Sequence, residues 1–296
     1  MERVKIFLIF GVKIKLFADD LKVYLSFKDK NDTSKLQLFI NKIKDWCDAN
    51  DLKIAIEKCF VLHIGYKNPK IPYYFDNKPI EKVQDYIRDL GILITPNLKW
   101  EKHVEFITKN ALSRLFTLFK AIRSTNPKFL LEMYFSYVRP ILETSTVIFN
   151  SLNKKDIVKI EKVQKIALKI IYHRAHAFHS NTHKSYVSLL KHFNVDTLEK
   201  RRLFFDLLFY HKILHNCVEV DTKIVKRTYS YSLRKTQEHY IPICKTNVRF
   251  SAFFVRVASI YNSLPAEISS LPIPSLFLSK IKKYDLKKFL TLENSL

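Results

Sequence analysis

The sequence predicts an α+β fold, an antiparallel sheet with a packing helix followed by a mainly α-helical remainder, and three observations predict it. Up to about residue 97, short β-prone runs alternate with turn residues. From Trp100 onward, apolar residues recur at steps of three and four, the period of a helix. Only three glycines occur, Gly11, Gly65 and Gly91, which excludes a P-loop or a dinucleotide fingerprint and so argues against the commonest α/β architectures.

Residues 12–28, VKIKLFADDLKVYLSFK, carry β-favouring side chains on both sides of an acidic dipeptide. That pattern predicts two strands joined by a tight turn at Ala18, Asp19 and Asp20. Next, Leu36, Ile40, Ile43 and Cys47 share helical spacing, with Ser34 as the expected N-cap. Strand-like runs follow at 52–56, 60–64, 73–75 and 86–94, broken by Pro69, Pro72, Asp76-Asn77 and Asp89-Leu90-Gly91.

Trp100, Val104, Ile107, Ala111, Leu115, Leu118 and Ile122 mark one face of a long helix. Pro127 suits the start of a second helix running towards Asn150. Asn153 is placed to cap a third, with Ile157, Ile160, Gln164, Ala167 and Ile171 on one side and Lys155, Lys159, Lys162, Lys165 and Lys169 on the other. A further helix spans about 197–215, a polar β-prone stretch covers 221–248, and shorter helices flank Leu264-Pro265 and Pro272-Ile273-Pro274. The expected divisions are 1–97, 98–220 and 221–296.

Composition narrows the function. Lys and Arg number 51 against 28 Asp and Glu, a net +23 spread along the chain, and such a surface seeks polyanions. The apolar stretch at 6–12 is far too short to span a bilayer, so nucleic acid is the expected partner and a membrane is not. Cys47, Cys59, Cys217 and Cys244 form no CxxC pair, which fits a reduced intracellular protein of the cytoplasm or nucleus. Four histidines, His173, His176, His179 and His183, have the look of metal-ligand spacing, but intervals of three drift around a helix and no Cys or acidic ligand accompanies them.

Adjacent aspartates on a hairpin turn, preceded by an aromatic and a small residue, suit phosphoryl transfer assisted by Mg²⁺ or Mn²⁺. LFADDLKVY, IKDWCDANDLKIAIEKC, DLGILITPNLKWEKHV, RPILETSTVIFN and IEKVQKIALKII stand here in order, and LEKRRLFFDLLFYHKI and FFVRVASIYNSLPAEI follow. In order and spacing these blocks resemble the C-terminal half of non-LTR (LINE-type) retrotransposon reverse transcriptases, over roughly residues 5–285.

The resemblance implies a partial palm over 1–97, then a helical thumb and C-terminal region. It implies an RNA template and a DNA primer as partners, and RNA-directed DNA polymerisation as the activity of intact members. Phe17 and Ala18 would lie against substrate, and Asp19 and Asp20 would hold the metal. The family's usual Tyr is Phe17 here. Lys58 would stand near the triphosphate and assist the departing pyrophosphate. Asp89, Leu90 and Gly91 would grip the primer end. The lysine face of 153–172, with Arg201, Arg202, Lys226, Arg227, Arg234, Lys235, Lys282, Lys283, Lys287 and Lys288, would track the template–primer backbone. Tyr229, Tyr231 and Tyr240 would be available to stack on bases.

One departure matters for activity. The family's remaining catalytic Asp and its Gly-rich block lie well upstream of the acidic pair, and only eighteen residues precede Asp19, with Glu2 their one acid. The expectation is a truncated enzyme that binds nucleic acid and does not polymerise alone, with a non-catalytic nucleic-acid-binding protein or the product of a decayed element as the alternatives.

Overall fold

The computed structural model describes residues 11–27, 32–176, 184–220 and 239–292. It is an α+β protein, and the chain divides into two units, Met1–Lys99 and Trp100–Leu296.

In the first unit, β1 (Lys13–Phe17) and β2 (Asp20–Tyr24) pair antiparallel, with Phe17 opposite Asp20 and Ala18-Asp19 as the two-residue loop. Ile14, Val23 and Leu25 of this region pack with Val12 onto Phe39 and Ile43 of α1 (Asp32–Ala49). The helix begins at Asp32, so Ser34 lies inside its first turn and is not the cap. Asp32 is the better starting residue, because its carboxylate meets the positive end of the helix dipole. At the other end Asp51 is left-handed (φ 55°) and the Leu52 amide donates to the Cys47 carbonyl at 2.9 Å, which closes the helix.

Residues 52–56 form no strand. Ile54 and Ile56 instead pack as irregular backbone against the apolar side chains around α1, and a 3₁₀ turn follows at Ile56–Lys58. The remaining strands are short: β3 (Phe60–Val61) pairs parallel with β6 (Glu81–Lys82), β4 (Tyr74–Phe75) antiparallel with β5 (Lys78–Pro79), and β7 (Ile87–Asp89) antiparallel with β8 (Ile92–Ile94). Instead of one antiparallel sheet, the described residues form four two-stranded ladders, one of them parallel. Strands of two to five residues, separated by prolines and tight turns, offer few backbone groups for a third neighbour.

The second unit is helical. α2 (Glu101–Ala121) buries Val104, Ile107, Ala111, Leu115 and Phe119, close to the expected face. Asn126 caps α3 (Pro127–Tyr137) by accepting from the Lys128 and Phe129 amides. The single helix expected to reach Asn150 is broken into α3, α4 (Arg139–Glu143) and α5 (Thr146–Phe149). Pro140 has no N–H to continue the ladder, and Ser145 sits left-handed at φ 61°. Asn153 caps α6 (Lys154–Ala175) as expected, accepting from Asp156 N at 2.8 Å. Leu115, Leu130, Tyr134, Leu142, Phe149, Ile160 and Ala167 are fully buried in one core. Truncating Leu115 or Leu130 there to Ala costs about 2–5 kcal/mol.

α7 (Tyr186–Phe193) packs on α6, and α8 (Leu198–Leu214), capped by Thr197, runs across both cores. α9 (Asn247–Phe250), α10 (Phe253–Tyr261), α11 (Ala266–Ser269) and α12 (Pro274–Lys283) follow among the described residues, with a 3₁₀ turn at Lys287–Phe289 after them. Leu207 and Tyr210 of α8 meet Val257, Tyr261, Phe277 and Ile281 in the second core. Two carboxylates buried between the helices are matched by donors. Glu161 of α6 accepts from the Glu199 amide and the Tyr186 hydroxyl, and Glu199 accepts from the Thr291 and Leu292 amides at 2.7 and 3.0 Å. A buried carboxylate left without such donors would cost several kcal/mol. No helix among the described residues is long and apolar enough to cross a membrane.

Candidate nucleic-acid interface

The acidic pair sits where a hairpin exposes it. Asp19 and Asp20 are both exposed, and Phe17 beside them is 62% exposed, an unusual position for a phenylalanine. Ala18 at the first loop position takes φ 53°, a conformation that strains a residue carrying a Cβ. A two-residue hairpin loop demands that backbone, so the turn is set by strand pairing against the local preference of alanine.

The second hairpin repeats the pattern. Between β7 and β8, Leu90 at φ 46° and Gly91 at φ 86° supply the two left-handed residues of a type I′ turn. Gly91 takes this shape without strain, and a Cβ placed on it would meet no atom within 4 Å. Leu90 is held there at a cost of roughly 1–2 kcal/mol and is 51% exposed. A bulky apolar residue, strained and half in water, gains nothing from folding in that place. Such residues concentrate at binding sites.

A salt bridge joins the two hairpins: Lys22 Nζ on β2 lies 2.5 Å from Asp89 Oδ1 on β7. Lys22 also stands directly across the ladder from Lys15, so Asp89 relieves a like-charge pair. Phe17, Ala18, Asp19 and Asp20 thus belong to a hairpin tied to the one bearing Leu90 and Gly91. Lys58 is exposed at the end of its 3₁₀ turn, and among the described residues no hydrogen bond or ion pair connects it to either aspartate.

The acidic pair has few partners for holding an ion. Among the described residues no group of three His, Cys, Asp or Glu side chains is placed to bind an ion. Asp19 and Asp20 present two carboxylates from one hairpin, and so from one side only. They do not constitute a two-metal centre, which needs ions clamped about 3.5–4 Å apart.

In the second unit, the outer face of α6 carries a cationic stripe. Lys155, Lys162 and Lys165 are exposed and Lys169 is half-buried, and none of the four has an ion pair among the described residues. Lys155, Lys162 and Lys169 recur every seven residues, about 10.5 Å along the helix axis. Lys159 differs from its neighbours. Its ammonium is held by Glu105 at 3.1 Å and Asp156 at 3.8 Å, so it joins α6 to α2. Only the spacing of lysines was readable in advance, because the partner Glu105 lies on another helix.

Arg201 and Arg202, expected to face a phosphate backbone, do not. Arg201 is bound to Glu143 through both carboxylate oxygens. Arg202 is 0% exposed, with Nε donating to Asn150 at 3.1 Å and with Glu161, Glu199, Glu143 and Asp206 supplying the opposing charge. Their helix runs between two cores, and a buried face takes whatever lies on it. Lys282, Lys283, Lys287 and Lys288 are exposed, and Tyr240 is 48% exposed. Lys226, Arg227, Tyr229, Tyr231, Arg234 and Lys235 lie outside the described residues, as do His179 and His183.

Over 128 residues the chain is 29% identical to an uncharacterized protein of Caenorhabditis elegans. The match covers 43% of this chain and 63% of that relative, so the chain spans under two thirds of its length. No family model and no solved structure matches the chain.

Proposed function

We propose that this chain carries the end of the palm, the thumb and the C-terminal region of a reverse transcriptase of the non-LTR (LINE-type) retrotransposon kind, and that alone it binds nucleic acid without extending a primer. The Lys22–Asp89 contact carries the reading. It ties the hairpin that would hold metal to the hairpin that would hold the primer end, and both have strained, exposed residues at their tips. The net charge of +23 and Lys155, Lys162, Lys165 and Lys169 of α6, which have no ion pair among the described residues, support phosphate contacts that read no sequence.

A second reading is a nucleic-acid-binding protein with no catalytic role. It is favoured by the acidic pair having no third carboxylate among the described residues. The two readings differ in what Asp19 is for.

The test is a labelled primer on an RNA template with Mg²⁺, with binding followed by anisotropy. Salt-sensitive binding with no extension is expected from the chain alone. Extension that appears when an upstream palm and fingers segment of such an enzyme is added, and disappears in Asp19→Ala, supports the polymerase reading. Binding with no extension under any addition leaves the second reading. No binding at low salt would defeat both.

A further inference from the structure

His176 closes α6 as its C-cap, and His192 lies in the last turn of α7. The fold brings these two rings to a centroid separation of 5.5 Å at 65°. The sequence offered His176 only with histidines of its own segment. The residue that the structure sets beside it comes from another helix.

Three features equip this pair as ligands. First, His176 Nδ1 lies 3.0 Å from the Tyr172 carbonyl, which only accepts, so Nδ1 is the donor there and Nε2 is the nitrogen left to bind a metal. An imidazole held at one nitrogen by a backbone carbonyl and free at the other is the arrangement found in metal-binding histidines. Its ring is also fixed by stacking on Tyr172 at 4.3 Å and 20°. Second, two imidazoles bound to one zinc at about 2.0–2.1 Å in tetrahedral geometry place their ring centres roughly 5–5.5 Å apart, the separation seen here. Third, both histidines sit at helix C-termini, whose dipoles favour a cation.

We propose that His176 and His192 form a two-histidine site for a borderline transition-metal ion, Zn²⁺, Ni²⁺ or Cu²⁺, with water completing its coordination. Imidazole selects these ions over Mg²⁺ and Ca²⁺, which prefer oxygen. Lys184 opposes the site. Its ammonium lies 4.9 Å from the centre of the Tyr172 ring on which His176 stacks, and it adds positive charge near His192. The site is therefore of modest affinity, and removing that charge should strengthen it.

The experiment is calorimetric titration of the untagged chain with ZnCl₂ and CuSO₄, together with the electron paramagnetic resonance spectrum of the Cu²⁺ form. Expected are a Cu²⁺ affinity above that for Zn²⁺, no Mg²⁺ response that depends on His176 or His192, and nitrogen couplings from two imidazoles. His192→Ala, at an exposed position, should weaken zinc by about tenfold or more, as should His176→Gln, while Lys184→Gln should tighten it several-fold. Circular dichroism checks that each variant is folded. Absence of zinc binding at millimolar metal, or affinity unchanged in a folded His176→Gln, His192→Ala double variant, would overturn the proposal and leave the rings as packing partners only.

Discussion

Lys22 and Asp89 meet at 2.5 Å and bind the β1–β2 hairpin to the β7–β8 hairpin. Both side chains are about a quarter exposed, at 25% and 26%, so water screens the pair and its contribution is set near 0.2–1 kcal/mol. A cycle of Lys22→Gln, Asp89→Asn and the double variant in urea should give a coupling of about 0.5–1 kcal/mol. Asp89→Asn should cost more than Lys22→Gln, because it leaves Lys15 and Lys22 opposed across the ladder. A coupling of zero would mean that apolar packing alone holds the hairpins together.

Leu90 is expected to trade stability for contact. Asparagine takes positive φ more readily than leucine, so Leu90→Asn should stabilise the chain by about 0.5–1 kcal/mol while removing an exposed apolar tip. If the tip meets nucleic acid, affinity should fall at the same time, and thermal melts with anisotropy on one preparation would show both. A stabilised variant that binds as well as the parent would remove Leu90 from the interface.

One pH-dependent group lies in the helical core. His211 is fully buried, stacks on Phe277 at 4.0 Å and lies with Nδ1 2.8 Å from the Tyr261 hydroxyl. Burial pushes its pKa down to about 4, with the His215 charge adding to the effect. Between the ordinary histidine value and about 4 the unfolded chain binds this proton and the folded chain does not, so stability falls as pH drops through that window. The full loss is on the order of 3 kcal/mol. His211→Phe keeps a flat ring on Phe277, and the Tyr261 hydroxyl retains the Ser269 carbonyl at 3.1 Å. Urea melts from pH 7 to 4 should show a shallower decline in the variant. An identical decline would place the acid sensitivity elsewhere.

What the sequence made legible follows from the range of the forces involved. The hairpin turns, the Asn153 cap and the apolar faces of α2 and α6 depend on neighbours three or four residues away, and all were readable. Ser34 was misplaced because Asp32 starts the helix from two residues earlier, and Pro140 and Ser145 broke a helix whose apolar pattern runs straight through them. At the candidate site, Asp19, Asp20, Leu90 and Gly91 were visible as turn residues. Their connection through Lys22 and Asp89 was not, since no local pattern pairs residues so far apart. For the same reason Arg201 and Arg202 passed for free surface cations, although Glu143 engages the half-buried Arg201 and Arg202 is buried beside Asn150.

The lysine stripe gives the sharpest test of the proposed binding mode, because one residue within it serves as an internal control. Each lysine that neutralises a phosphate releases condensed counterion, so the slope of log affinity against log salt falls by about 0.9 for every such contact removed on duplex DNA. Lys155, Lys162, Lys165 and Lys169 have no ion pair among the described residues. Replacing all four with Gln should therefore shallow the slope by roughly 3.6, with little change in stability. Lys159 sits among them in sequence but is engaged by Glu105 and by Asp156, whose carboxylate is 2% exposed and is raised in pKa by burial. Lys159→Gln strips the countercharge from that buried group and should destabilise the chain by about 1 kcal/mol while leaving the salt slope nearly unchanged. Anisotropy across a salt series and urea melts on the two variants read both quantities. If the quadruple variant keeps the parent slope, phosphates do not lie along α6. If Lys159→Gln shallows the slope as much as Lys162→Gln does, the helix face binds by diffuse charge alone, and the pairing of Lys159 across to α2 does not withhold it from nucleic acid.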